Sequence, residues 1–255
     1  MALRLIDSHA HLGSKAFNRD REAAIGRARQ AGVEAIVEVG TDLESSRAAV
    51  RLAREHDFVY AAVGIHPHDA GQVNAGVLSE LEELARQPGV LAIGEIGLDY
   101  YRDLSPRAAQ RSAFGEQLEL ASRLELPVIL HCRDAMADLL AGMRGRSGRG
   151  VLHSYLSGFE YLDEVLGLGL FAGISGPVTF PDAEEVRRLA SAIPGERLLI
   201  ETDCPYLAPV PHRRERNEPA YVRHVADAVA QASGRTSEDV ARSTALNART
   251  VFGIA

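Results

Sequence analysis

Leu3-Arg4-Leu5-Ile6-Asp7-Ser8-His9-Ala10-His11 places two imidazoles directly after an apolar lead-in that reads as a strand. Successive side chains of a strand face opposite sides, so His9 and His11 share a face. Neutral imidazole suits Zn²⁺, Mn²⁺ and related ions, and two of them on one face form half a metal site. Two ligands do not close a site. The rest of the chain decides whether the pair is chance.

Downstream, short apolar runs alternate with amphipathic stretches, the pattern of βα units around a parallel sheet. Asn18 to Ala31 reads as a helix closed by Gly32, followed by a strand at Ala35-Ile36-Val37-Glu38-Val39. Thr41 and Glu44 have the spacing of a capping box for a helix ending near Glu55. The third strand, Val59 to Ile65, leads into His66-Pro67-His68, and Val77, Leu78, Leu81, Leu84 and Ala85 give helical spacing up to Pro88-Gly89. A fourth strand, Val90 to Ile93, runs into Gly94-Glu95-Ile96-Gly97-Leu98-Asp99-Tyr100, and the helix after it has Ser105 as N-cap and Pro106 at its first position. Strands five to eight fall at Pro127–Leu130, Val151–His153, Leu170–Ile174 and Leu198–Asp203, with a Gly/Arg-rich turn from Gly142 to Gly150. A last helix, opened by Ser237, covers Val240 to Phe252. Eight such units predict a TIM (β/α)8 barrel in one domain, residues 1–255.

The net charge of −7 argues against a surface coated in basic groups for unspecific duplex binding. Lys15 is the one lysine, so almost all positive charge is arginine. Cys132 and Cys204 are too few for a disulfide framework, and with no secretory pattern at the start and no apolar run near the roughly 20 residues of a membrane span, a cytoplasmic location is expected. No membrane contact and no obligate protein partner are inferred.

In a parallel barrel the active site forms where the strands end, so the polar residue just past each apolar run is the informative one. Those positions read His9 and His11, His66, Glu95, His131, His153 and Asp203. Of the nine histidines, five fall at strand ends, whereas His56, His212 and His224 lie on helix or loop and His68 lies just beyond a strand. His9, His11, His131, His153, Glu95 and Asp203 supply enough donors for two divalent ions sharing a ligand, a device for phosphate displacement and for hydrolysis in general. The mixed imidazole and carboxylate set suits Zn²⁺ and Mn²⁺ and can accept Mg²⁺. Glu95 is the candidate bridge, because a carboxylate offers one oxygen to each ion. Lys15 lies away from any strand end, which closes the modified-lysine alternative. Asp203 is assigned as a ligand that also takes the proton of the attacking water. Asp7, one layer deeper, is placed to hydrogen-bond a ligand, and the cysteines, each following a ligand, turn toward the helix layer.

Arg133 follows His131 by two and shares its face, where a guanidinium can hold phosphate by two parallel hydrogen bonds. The loop from Pro205 to Pro219 carries His212, Arg213, Arg214, Arg216 and Asn217. His66, Asp99, Arg133, Arg213 and Arg216 are the candidate substrate contacts. Tyr100, Tyr101 and Tyr206 flank strand ends, where aromatic rings can either stack on a base or pack the rim.

These residues carry a resemblance through the whole chain to the TatD metal-dependent hydrolases, a branch of the amidohydrolase-like TIM barrels. It rests on Asp7-Ser8-His9-Ala10-His11, Gly64-Ile65-His66-Pro67-His68, Gly94 to Tyr100, His131-Cys132-Arg133 and His153-Ser154-Tyr155. It continues through Gly176-Pro177-Val178-Thr179-Phe180, Glu201-Thr202-Asp203-Cys204-Pro205 and Arg216-Asn217-Glu218-Pro219. Two departures lie near the barrel mouth: Leu156 adds a residue before Ser157-Gly158, and Arg214 and Glu215 stand where the family has a glycine and a lysine. The resemblance implies a divalent-metal site of the same six residues and a deoxyribonuclease that trims single-stranded DNA, and sometimes RNA, from the 3′ end, with links to DNA repair.

The residues themselves leave two other readings open. The same metals activate water against carbon, as in an amidase or a D-aminoacyl-tRNA deacylase. A binding scaffold without catalysis is the third, against which the complete ligand set argues.

Overall fold

The structure is a computed structural model that describes residues 3–146 and 149–254. Its strands are β1 (Leu5–Ala10), β2 (Val33–Val39), β3 (Val59–Val63), β4 (Val90–Asp99), β5 (Val128–Arg133), β6 (Gly150–Leu152), β7 (Phe171–Ile174) and β8 (Leu198–Ile200). Its helices are α1 (Arg21–Gln30), α2 (Leu43–Glu55), α3 (Ala75–Ala85), α4 (Arg107–Leu124), α5 (Met136–Met143), α6 (Leu162–Gly167), α7 (Glu184–Ala192), α8 (Val222–Ser233) and α9 (Ser237–Phe252). The strands form one sheet in chain order, and the β3–β4, β4–β5, β5–β6 and β7–β8 pairings are parallel. Just after β8 the chain returns to β1 through a parallel bridge between Ala10 and Cys204. Chain-order strands with the last beside the first define the (β/α)8 topology that the alternating runs predict. Among the described residues no helix is long and apolar enough to cross a membrane.

The chain groups into two compact units, one of Met1–Val37, Ser154–Phe159 and Ala172–Ala255, the other of Glu38–His153 and Glu160–Phe171. In the first, α8 buries Val222, Val225, Ala226, Val229 and Ala230, the i, i+3, i+4, i+7, i+8 spacing of a helix with one apolar face. It packs on α7 and α9, while α9 lies against β1 and β8. Gly234 and Gly253, both with positive φ, end α8 and α9.

The second unit holds β3 to β6. Gly97 has φ +142°, and a Cβ there would overlap the His131 carbonyl oxygen, so the close approach of β4 to β5 requires glycine. Helix α4 reaches the ends of two strands with buried glutamines. Gln117 accepts from the Ile65 N–H at 2.7 Å and donates to the Ile65 carbonyl at 3.0 Å. Gln110 does the same for Asp99, at 2.9 and 3.1 Å. Seven residues apart, the two amides lie on one face of the helix.

Several termini differ from the sequence reading. Helix α2 is capped by Asp42, whose side chain accepts from Ser45 N–H at 2.7 Å while Ser45 Oγ accepts from Asp42 N–H at 2.9 Å. The carboxylate is the stronger acceptor, so the box sits one residue later than Thr41-x-x-Glu44. Ser105 does not cap α4; its hydroxyl donates to the His68 carbonyl, and Pro106 holds the N-cap position without a side-chain bond. Thr236, not Ser237, caps α9 through the Asp239 N–H. Helix α5 runs through Met143, so the Gly142–Gly150 turn begins later than expected, and residues 147 and 148 of it lie outside the described residues.

Gln117→Leu leaves the Ile65 N–H and carbonyl buried without their partner and is expected to lower stability by about 2–4 kcal/mol. Urea unfolding followed by circular dichroism measures this; a midpoint equal to wild type contradicts the role given to the amide.

Candidate metal centre

In the first unit, β1 extends through His9, which is fully buried. Strand alternation brings His11 to the same side, and the two Nε2 atoms are 3.1 Å apart. The backbone beyond β8 fixes the third member, since Asp203 N–H donates to the His9 carbonyl at 2.9 Å and His11 N–H to the Cys204 carbonyl at 2.8 Å. Asp203 has φ 56°, a left-handed conformation unusual for a residue with a Cβ. Its Oδ1 lies 3.4 Å from His11 Nε2 and 3.9 Å from His9 Nε2. No helix starts at Asp203, so it is not an N-cap.

Two buried carboxylates stand behind this triad. Asp7 accepts from the Thr202 N–H at 2.9 Å, the Thr202 hydroxyl at 2.6 Å and the N–H of the candidate ligand His9 at 3.4 Å, so it bonds a ligand through that residue's backbone and also holds the residue before Asp203. Burial pushes the Asp7 carboxyl up to about 8 despite those bonds. Glu201 accepts from Ser154 N–H at 2.5 Å and Ser8 Oγ at 3.2 Å, in space that exists because residue 173 is glycine. Asn217 donates to the Thr202 carbonyl at 2.8 Å and the Tyr206 carbonyl at 2.6 Å, pinning the loop after β8.

In the second unit one oxygen, Glu95 Oε1, faces His131 Nδ1 at 2.7 Å, His153 Nε2 at 3.0 Å and His66 Nε2 at 3.5 Å. Glu95 lies within β4, not after it, and His153 follows β6 directly, with its N–H bonded to the Leu130 carbonyl at 3.0 Å. Asp99 Oδ2 faces His68 Nε2 at 2.9 Å and His131 Nε2 at 3.2 Å, while its Oδ1 accepts from the N–H groups of Tyr101 at 3.0 Å and Arg102 at 2.7 Å. Burial alone would raise both carboxyls. Charge from His153 and His66 and a bond from His131 hold Glu95 well below the usual range, and bonds from His131, Arg102 and His68 do the same for Asp99. Burial takes the His66 imidazole down to about 4, whereas Asp99 and Glu95 overcome burial at His131 and raise it.

These donor sets suit a divalent ion. Ligands of a tetrahedral ion with bonds of ~2.0–2.1 Å lie roughly 3.3 Å from one another. One donor atom each from His9, His11 and Asp203 lie within 4.8 Å of one another, as do those of His66, Glu95 and His131. Neutral imidazole and ionised carboxylate are the protonation states that bind metal.

The candidate substrate arginines have different surroundings. Arg133 stacks over the Tyr101 ring at 3.8 Å and Arg213 over Phe180 at 4.1 Å. Arg216 is engaged by Asp20 at 2.6 and 2.8 Å, and Arg27 holds Glu218 through two bonds, so this part of the loop is fastened to the N-cap and the last turn of α1. Sequence reasoning missed Glu201, His68 and the two glutamines of α4. An acidic residue ending the apolar run Leu198-Leu199-Ile200 was the signal for Glu201; a glutamine in a helix carries none.

A (β/α)8 chain with these His–carboxylate clusters has the donor sets a metal-dependent hydrolase uses. Residues 6–253 match the family described as TatD related DNase, and the chain belongs to that family. It is 40% identical over 253 residues to the metal-dependent hydrolase YabD of Bacillus subtilis (strain 168), covering 98% of this chain and 99% of that one. It is 40% identical over 258 residues to the 3′-5′ ssDNA/RNA exonuclease TatD of Klebsiella pneumoniae (strain 342), covering 98% of each. The solved structure of YJJV, a TatD homolog from Escherichia coli K12, covers 100% of both chains at 30% identity with a TM-score of 0.94.

Cys132 follows a candidate ligand, and burial pushes its thiol up to about 12. Cys204 is buried. The thiolate, the nucleophilic form, is therefore scarce at neutral pH. Ellman's reagent is expected to label neither cysteine rapidly in the folded protein and both after unfolding; fast labelling of the native chain would contradict this environment.

Proposed function

We propose that the chain is a divalent-metal-dependent phosphodiester hydrolase, a 3′–5′ exonuclease acting on single-stranded DNA and RNA. The observation that carries the reading is the pair of three-donor clusters in a chain whose relatives include a named 3′-5′ ssDNA/RNA exonuclease. His9, His11, Glu95, His131, His153 and Asp203 would hold two ions drawn from Mg²⁺, Mn²⁺ or Zn²⁺. Bound there, such ions supply a nucleophile at neutral pH and offset the charge of the phosphate oxygens.

The chain's own groups do the rest. Asp203 takes the proton of the attacking water on its carboxylate oxygen. Glu95, kept ionised by its three imidazoles, is both ligand and electrostatic anchor. Neutral His66 and the ionised Asp99 orient the substrate and His131, and Arg133 and Arg213 hold flanking phosphates. Arg216, engaged by Asp20, shapes the loop and is the third candidate substrate arginine. The reading takes the chain as a single hydrolase domain working in the cytoplasm, without membrane contact or an obligate protein partner.

The test is metal-loaded protein incubated with single-stranded oligonucleotides labelled at either end and, separately, with mischarged tRNA. Stepwise loss of nucleotides from the 3′ end is expected; release of the amino acid alone would replace this reading with hydrolysis at carbon. A chelator should abolish activity and added Mn²⁺ or Mg²⁺ restore it. Asp203→Asn is expected to keep most of the metal by elemental analysis while kcat falls about 100-fold or more. Glu95→Ala is expected to lose metal and activity together. Wild-type turnover in either variant would refute the assignment.

A further inference from the structure

Tyr101 follows β4 and is 60% exposed, a large aromatic residue left at the surface. The backbone beneath it is fixed, because Asp99 Oδ1 accepts from the Tyr101 and Arg102 N–H groups at 3.0 and 2.7 Å. The other oxygen of the same carboxylate faces His131 at 3.2 Å. The Tyr101 backbone and the candidate ligand His131 are therefore both held by one buried carboxylate.

Arg133 adds charge to the platform. It pairs with Asp99 in the β4–β5 register and stacks its guanidinium on the Tyr101 ring at 3.8 Å. Among the described residues that guanidinium makes no ion pair or hydrogen bond. Its neighbours differ: Arg107 is paired with Asp103, and Arg111 with Asp138. Tyr100 is engaged as well, its hydroxyl donating to Asp138 at 2.7 Å and its ring covered by Arg107 at 4.3 Å. An arginine held over an aromatic ring keeps its N–H donors for other partners, and a guanidinium fork suits a phosphate. With one face covered by arginine, the other face of the tyrosine is open to a base.

We infer that Tyr101 and Arg133 form a base-stacking and phosphate-holding subsite that seats a nucleotide of a single strand beside the scissile bond. The inference rests on the nuclease reading and deepens it. Every base has a π-face, so the subsite accepts any sequence in DNA or RNA, and it selects for unpaired nucleotides whose faces are free. Both residues position substrate; neither touches the reacting atoms.

The experiment is steady-state cleavage of oligothymidylate by the metal-loaded enzyme. Tyr101→Ala is expected to raise KM about tenfold, the scale of one lost base stack, with kcat within twofold. Tyr101→Phe should restore wild-type KM. Arg133→Gln should raise KM and flatten its dependence on salt. On an oligomer abasic at its last four positions, wild type should rise to the KM of Tyr101→Ala and the two enzymes converge. Unchanged KM in Tyr101→Ala, a fall in kcat alone, or an undiminished gap on the abasic oligomer would each overturn the subsite while leaving the nuclease reading intact. A wild type that cleaves no oligonucleotide overturns both.

Discussion

A carboxylate taken out of water must be compensated, and in this protein the compensation for Glu95 is histidine. The Glu95 side chain is almost wholly buried, and a single oxygen faces three imidazoles. Isolated, such a group would take up a proton and lose its value as a ligand. The three rings keep it ionised, and keeping them there requires that β3, β5 and β6 end at heights matched to a residue inside β4. Much of the second unit serves that match. Gly97 lets β5 approach, and the amides of α4 secure the ends of β3 and β4.

The first unit meets the same constraint differently. Asp203 is brought to His9 and His11 by backbone bonds between the β1 extension and the chain after β8, and it takes a left-handed turn to face them. Asp7 and Glu201 stabilise that turn from behind, one through both polar groups of Thr202 and the other through Ser154 and Ser8. The charge of Asp203 thus rests on a buried polar lattice that contributes no ligand of its own.

The strand ends were legible in the sequence because a barrel puts function at a fixed point of each repeat, so a histidine after an apolar run has a meaning that a histidine elsewhere lacks. His9, His11, His131 and His153 were read this way, as was Asp203. Glu95 and Asp99 were found, but the strand holding them runs further than the apolar run Val90–Ile93 shows, since Gly94 and Gly97 interrupt the pattern while the backbone stays extended. Capping residues were misplaced by one position, because neighbouring Thr41 and Asp42, or Thr236 and Ser237, offer acceptors that only the turn geometry separates. The partners of the arginines were invisible for another reason. Asp20 and Arg216 lie far apart in the chain, and no local pattern reports a pairing of that range.

The two glutamines of α4 have a wider consequence. Each clasps a strand terminus through both of its hydrogen-bonding groups, and both ride on one rigid rod. A repacking that slid α4 along its axis would carry the termini of β3 and β4 with it in concert, leaving the spacing between the His66 and Asp99 backbones nearly constant. The helix therefore acts as a jig: sequence drift on its outer surface can shift the tool without altering the gauge it holds.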